Sequence, residues 1–187
     1  KEKFNEKLLL YRVRTKRDPE AYGSLYDLYA EKIYRFIFFK ISRREEAEDL
    51  TSEVFLKAWN YLMENTDNEI KNFASFIYRI ARNLVVDFYR ERARRGTGES
   101  LEILSEAPVV AVEDPNYQRV SVDMETEKIM IVLKKMKSEY QEVVLLHYIE
   151  ELSVSEVAKI LGKNQIGVRV TLHRALKKLK QMVGENK

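Results

Sequence analysis

The residues that break regular structure gather in one place. Gly96, Gly98, Pro108 and Pro115 all fall within residues 96–123, "GTGESLEILSEAPVVAVEDPNYQRVSVD", in a chain with only six glycines and three prolines. On either side of that segment apolar residues recur at helical intervals. This distribution predicts an all-α protein: two small helical domains, residues 10–95 and 124–184, joined by a flexible linker over 96–123. The linker carries Glu99, Glu102, Glu106, Glu113, Asp114 and Asp123 against Arg119, so it is acidic as well as irregular.

In the first domain Asp18 predicts a helix N-cap, with Pro19 in the first helical position and Glu20 at the positive end of the dipole. Leu25, Leu28, Tyr29, Ile33, Phe36 and Ile37 follow at helical spacing, and "NEKLLLYRVR" gives a weaker helix ahead of them. "EEAEDLTSEVFLKAWNYLM" buries Ala47, Leu50, Val54, Phe55, Ala58 and Leu62, with acids crowding its first turns. A polar gap runs from Glu64 to Asn72. The next helix extends to Arg95, with Phe73, Phe76, Ile77, Ile80, Ala81, Leu84 and Phe88 facing inward.

In the second domain "METEKIMIVLKKM" and "SEYQEVVLLHYIEE" each read as one amphipathic helix. Ser153 and Glu156 have capping-box spacing, Gly162 suits a left-handed helix end, and Asn164 caps the helix that follows. That last helix has a core stripe of Val168, Leu172, Ala175, Leu176 and Leu179. A short helix, a tight turn and a longer basic helix form the pattern of a helix-turn-helix.

Composition narrows the chemistry. Net charge is only +3, from 33 basic and 30 acidic residues, because the signs are segregated along the chain. With no cysteine and two distant histidines, His147 and His173, disulfides and a zinc centre have no ligand set. No apolar run approaches the ~20 residues of a membrane helix, and no secretory signal opens the chain. The expectation is a soluble, cytoplasmic protein without membrane insertion. No phosphate loop, nucleophile elbow or paired histidine suggests catalysis, and no cofactor is expected.

Two surfaces suit nucleic acid. The basic helix holds Arg169, His173, Arg174, Lys177, Lys178 and Lys180, with no acid between Lys163 and Val183. Its outward row is read as Gly167, Val170, Thr171, Arg174 and Lys178, with Val170 or Thr171 able to touch a thymine methyl and Arg169 a guanine edge or a phosphate. The plainer reading is a solvated basic helix closing a bundle. The stretch "YRIARNLVVDFYRERARR" places Tyr78, Arg79, Arg82, Asn83, Val86, Tyr89 and Arg90 on its non-core face, where rings could stack bases and arginines hold a single strand. The alternative is that Tyr78 and Tyr89 belong to the core, and that Asp87 pairs with Arg90 or Glu91 with Arg94. A third surface, Asp49, Ser52 and Glu53, reads either as dipole partners or as a protein-docking face.

"EEAEDLTSEVFLKAW", "FASFIYRIARNLVVDFYRERAR", "EYQEVVLLHYIEELSVSEVAKILG" and "LHRALKKL", in that order, resemble the bacterial RNA polymerase sigma factors of the small extracytoplasmic-function group. The resemblance runs from about Leu10 to Val183. It implies a first domain that docks on core RNA polymerase through Asp49, Ser52 and Glu53. That domain would open the minus-ten promoter element, with Asn65, Thr66, Asp67 and Asn68 capturing a flipped base. Arg79, Asn83, Asp87 and Arg90 would line the non-template strand. It implies a second domain that reads the minus-thirty-five element as duplex through Arg169, Val170, Thr171, His173, Arg174, Lys177 and Lys178. The acidic linker would thread the polymerase channels, and an anti-sigma factor would be a further partner. The family shows Gln where Ser52 stands, Pro near Lys137 or Ser138, and "GTVKSRLHRA" where this chain reads "IGVRVTLHRA". The alternative functions are a conventional helix-turn-helix regulator acting as a dimer, and a protein that only binds polymerase or a regulator.

Overall fold

The computed structural model describes residues 2–65, 70–95 and 124–184, and no strand occurs among them. The acidic segment 96–123 and the residues Thr66, Asp67 and Asn68 lie outside the described residues. The chain divides into two compact units, Lys1–Asp87 and Phe88–Lys187, the division falling inside the fourth helix.

The first unit is built on α1 (Glu2–Lys16), α2 (Pro19–Ile41), α3 (Arg44–Glu64) and α4 (Phe73–Arg94). Asp18 caps α2 as its sequence predicts, its Oδ1 accepting from the N–H groups of Glu20 at 3.0 Å and Ala21 at 3.1 Å. Arg12 of α1 reaches the other oxygen at 2.6 Å. The Ala21 N–H, helped by Arg12, holds the Asp18 carboxyl below the usual carboxylate range. Ser42 ends α2 in the left-handed region at φ 57°, its N–H returning to the Phe38 carbonyl at 2.8 Å. So short a connection makes α2 and α3 packed neighbours.

Between them Tyr22 packs at a tilt against Trp59 with ring centroids 5.0 Å apart, and Tyr26 likewise against Phe55 at 4.6 Å. Leu25, Ile33, Phe36, Ile37, Val54, Leu62, Phe73, Ile77 and Tyr78 have no exposed surface. The start of α4 is held twice. Asn72 Oδ1 accepts from the Ser75 N–H at 2.6 Å, and Glu6 of α1 accepts from the Phe73 N–H at 3.3 Å. The other Glu6 oxygen accepts from the Tyr29 hydroxyl at 2.5 Å. The inward stripes are narrower than their periodicity suggests, since Leu28 is 40% exposed and Leu50 and Phe88 are only half-buried.

The second unit contains α5 (Met124–Lys134), α6 (Ser138–Val144), α7 (Val154–Leu161) and α8 (Gln165–Gly184). The single helix predicted for "SEYQEVVLLHYIEE" is not continuous: α6 widens into a π turn at Leu145–Ile149. There the Glu150 N–H reaches the Leu145 carbonyl at 3.0 Å and the Leu152 N–H reaches Leu146 at 3.0 Å. His147 Nδ1 lies 2.6 Å from the Leu152 carbonyl, which requires its proton on that nitrogen. Glu151 turns at φ 54°, and Leu152 comes back buried. The widened turn thus leads directly into the reversal that returns Leu152 to the core.

Gln141, 1% exposed, donates its amide to the carbonyls of Lys134 at 3.0 Å and Met136 at 2.9 Å, satisfying the open end of α5. Ser153 and Glu156 form the predicted capping box, at 3.3 and 2.7 Å, and Gly162 ends α7 at φ 65°. Asn164 Oδ1 caps α8 by accepting from the Gly167 N–H at 2.7 Å. Leu176, placed in the core stripe by spacing, is 37% exposed.

Candidate nucleic-acid interface

The end of α7, the turn Gly162–Asn164 and α8 make a helix-turn-helix, because Gly162 can take the left-handed turn and Asn164 immediately restarts the helix. Val168, Thr171, Leu172 and Ala175 face the core, which turns Arg169, Val170, His173, Arg174, Lys177 and Lys178 outward as one exposed, basic surface. Thr171 corrects the sequence reading. It is 8% exposed, and its hydroxyl donates to the Gly167 carbonyl at 2.9 Å and faces Glu139 Oε1 at 3.5 Å. Its position between Val168 and Ala175 puts it on the buried stripe, so it is not available to a base edge. Gly167, which has poor helix propensity, also has a local reason: a Cβ there would come within 3.2 Å of the Asn164 oxygen that caps the helix.

On α4, Arg79, Asn83, Asp87 and Arg90 are exposed and spaced so as to share one face. Tyr78 does not join them. It is 0% exposed and meets Phe36 edge-on at 5.6 Å, so its ring belongs to the core and cannot stack a base. Tyr89 is half-buried. The expected pairing of Glu91 with Arg94 is present, and Arg95 donates to the same carboxylate at 2.9 Å. The Arg95 hydrogen bond is the main cause of the Glu91 carboxyl lying below its ordinary range. Arg92 sits over the Phe88 ring at 5.5 Å. The exposed row is therefore less aromatic than the sequence suggests, and it carries the acid Asp87 between its two arginines. Asn65, at the end of α3, spends its amide on the Tyr61 carbonyl at 3.0 Å.

On α3, Asp49 and Ser52 are exposed and Glu53 half-exposed, along one face of the helix. The Ser52 hydroxyl donates to the Glu48 carbonyl at 3.1 Å, and Glu53 pairs with Lys57 at 3.1 Å. Asp49 has no ion pair among the described residues, leaving its charge to a partner or to water. Leu56, 60% exposed on the same face, went unassigned in the sequence reading. Its signal was present: an apolar residue three positions after Glu53 that falls off the buried stripe. Among the described residues no helix is long and apolar enough to cross a membrane, and no acid, histidine or cysteine cluster could hold a metal ion.

Two family profiles match in the order of these surfaces: Sigma-70 region 2 over residues 25–95 and Sigma-70, region 4 over residues 126–179. Relatives include the ECF RNA polymerase sigma factor BldN of Streptomyces coelicolor, 30% identical over 172 residues. That alignment takes in 90% of this chain but only 62% of BldN. The ECF RNA polymerase sigma factor SigW of Bacillus subtilis is 29% identical over 176 residues, covering 90% of this chain and 91% of SigW. Among solved structures, a chain of the complex of CnrH with the cytosolic domain of CnrY has a TM-score of 0.69 at 20% identity. It is covered to 99%, over 98% of this chain. A chain of the complex of RpoE with the anti-sigma factor NepR from Bartonella quintana has a TM-score of 0.66 at 20% identity, over 88% of this chain and 98% of that one. The structural likeness shows a shared helical fold, and the two ordered profile matches show descent: the chain belongs to the sigma-70 family, in its extracytoplasmic-function group.

Proposed function

We propose that this chain is the promoter-recognition subunit of a bacterial RNA polymerase, acting by binding rather than by catalysis. The observation that carries the reading is one chain holding the region 2 and region 4 matches in order, the second ending on a helix with an outward basic surface. Core polymerase would dock on Asp49, Ser52 and Glu53. Residues 10–95 would then handle the minus-ten element and residues 124–184 the minus-thirty-five element, with 96–123 between them.

Opening the minus-ten element requires an unpaired strand to be held. Flipping a base costs a few kcal/mol, which hydrogen-bonding groups must offset. Asn65, Thr66, Asp67 and Asn68 would supply those groups, and Arg79, Asn83, Asp87 and Arg90 would follow the displaced strand. Arginines neutralise its phosphates, and Asn83 can read a base edge. Upstream, α8 would enter the major groove, with Arg169 on a base edge or phosphate, Val170 on a thymine methyl, and His173, Arg174, Lys177 and Lys178 along the backbone. Each unit alone offers little interface, so tight promoter binding would need both at once on polymerase, where the second contact becomes intramolecular. RpoE was solved with an anti-sigma factor, and a regulator of that kind is proposed as a further partner here.

The test is run-off transcription with purified core polymerase on sheared genomic DNA from the source organism. Discrete starts that require the chain and vanish with Asp49→Arg are expected. No starts, with the chain alone shifting duplex as a two-fold dimer, would instead establish a conventional regulator.

A further inference from the structure

Helix α8 has no acid of its own, yet α6 brings one to its face. Glu139 Oε1 accepts from Lys163 Nζ at 2.5 Å and lies 3.5 Å from the Thr171 hydroxyl. Lys163 stands on the turn just before Asn164, at the entry to the helix that would lie in the groove. The Lys163 hydrogen bond is the main cause of the Glu139 carboxyl sitting below the usual range, and the charge of Arg174 adds to it. One carboxylate thus engages the turn, the buried hydroxyl and a cation of the exposed face.

The pair adds little to folding. Its side chains are 39% and 51% exposed, and solvent screens an ion pair at that exposure. Its effect falls on the surface field. A DNA phosphate near the turn would meet a carboxylate already holding the nearest ammonium. Contacts with random sequence are almost wholly to phosphate, so they bear this repulsion without compensation, whereas a cognate site adds base-edge contacts.

Resting on the reading of α8 as the duplex-binding helix, we propose that Glu139 is a specificity-determining residue: a built-in competitor for phosphate that withholds Lys163 from nonspecific DNA. The conservative change Glu139→Gln retains an acceptor for Lys163 and Thr171 but removes the charge. Nonspecific binding should then gain one phosphate contact.

The experiment titrates the full chain against a labelled duplex of random sequence by fluorescence anisotropy from 50 to 200 mM salt, with helicity checked by circular dichroism. Glu139→Gln should bind more tightly at low salt, with a log–log salt slope steeper by about one unit, so its advantage shrinks about 3.5-fold across that range. Lys163→Gln should leave the parent slope unchanged, and the double variant should return to it. An unchanged slope in Glu139→Gln, or a flatter one in Lys163→Gln alone, overturns the proposal. Lys177→Ala, on the backbone-facing row of α8, separates the two layers. If it flattens the slope while Glu139→Gln does nothing, only this proposal fails. If Lys177→Ala leaves the slope unchanged, the duplex-binding role of α8 fails, and the proposal with it.

Discussion

Replacing Gln141 by methionine should destabilise the second unit while leaving the first unchanged. The amide of Gln141 is buried and serves two carbonyls, those of Lys134 and Met136, which close the end of α5. Methionine fills a similar volume but donates nothing. Each lost hydrogen bond is worth about 0.5–1.5 kcal/mol net, and a stranded buried carbonyl costs about 1–3 kcal/mol. Greater apolar burial returns about 1 kcal/mol. Counted as two stranded carbonyls less that return, the balance is a loss of about 1–5 kcal/mol, a large share of the stability of so small a unit, and a fall in melting temperature of roughly 5–40 °C. Trp59, the chain's one tryptophan, lies in the first unit, so its fluorescence reports that unit alone. Circular dichroism reports both. In a urea titration the Trp59 transition should stay in place while part of the helical signal is lost early. A helical transition within about 0.5 kcal/mol of the parent would refute the reasoning, because those carbonyls would then have found other donors.

Asp49→Arg inverts an exposed charge that has no ion pair among the described residues, so it should abolish capture of core polymerase with helicity unchanged; retained capture in a pull-down would remove α3 as the docking face. Asn83→Ala, on the exposed face of α4, should reduce permanganate reactivity of minus-ten thymines without altering polymerase binding, and a parental bubble would exclude Asn83 from strand contact. Burial lowers the Lys134 amine to about 8. The folded unit therefore binds fewer protons than the unfolded chain between about pH 8 and the ordinary lysine value, and stability should rise with pH across that window. Lys134→Met should remove the rise, as read from urea midpoints at several pH values. Ser153→Ala breaks the capping box and should cost the second unit about 1 kcal/mol in the same titration.

What could be read from sequence was local. Asp18, the Ser153–Glu156 pair, Gly162 and Asn164 act on groups two to five residues away, so the residue type and its spacing carry the whole signal. Helical period placed Val170, Arg174 and Lys178 of α8 and Arg79, Asn83 and Arg90 of α4 outward, as they lie; Asp87 joined that row only through the family resemblance. The errors lie at stripe edges. Thr171 and Tyr78 each occupy a position whose facing is decided by a neighbour distant in sequence, Glu139 in one case and Phe36 in the other. Period alone leaves such positions undecided by about one residue's rotation on the helix. The π turn after α6 was illegible because "LLHYI" continues the helical spacing and contains no glycine or proline to mark the change.

Glu6 meets the first N–H of α4, a contact spanning 67 positions of chain. On the ribosome α1, α2 and α3 emerge first, and the Glu6 carboxylate of α1 can accept from the Tyr29 hydroxyl of α2 but not from the Phe73 N–H until α4 has been made. Closure of the first unit therefore waits for α4, the helix that carries the exposed row from Arg79 to Arg90. A nascent chain could present its docking helix before its strand-holding helix is seated. On the roles proposed above, the order of synthesis would place polymerase affinity ahead of promoter opening.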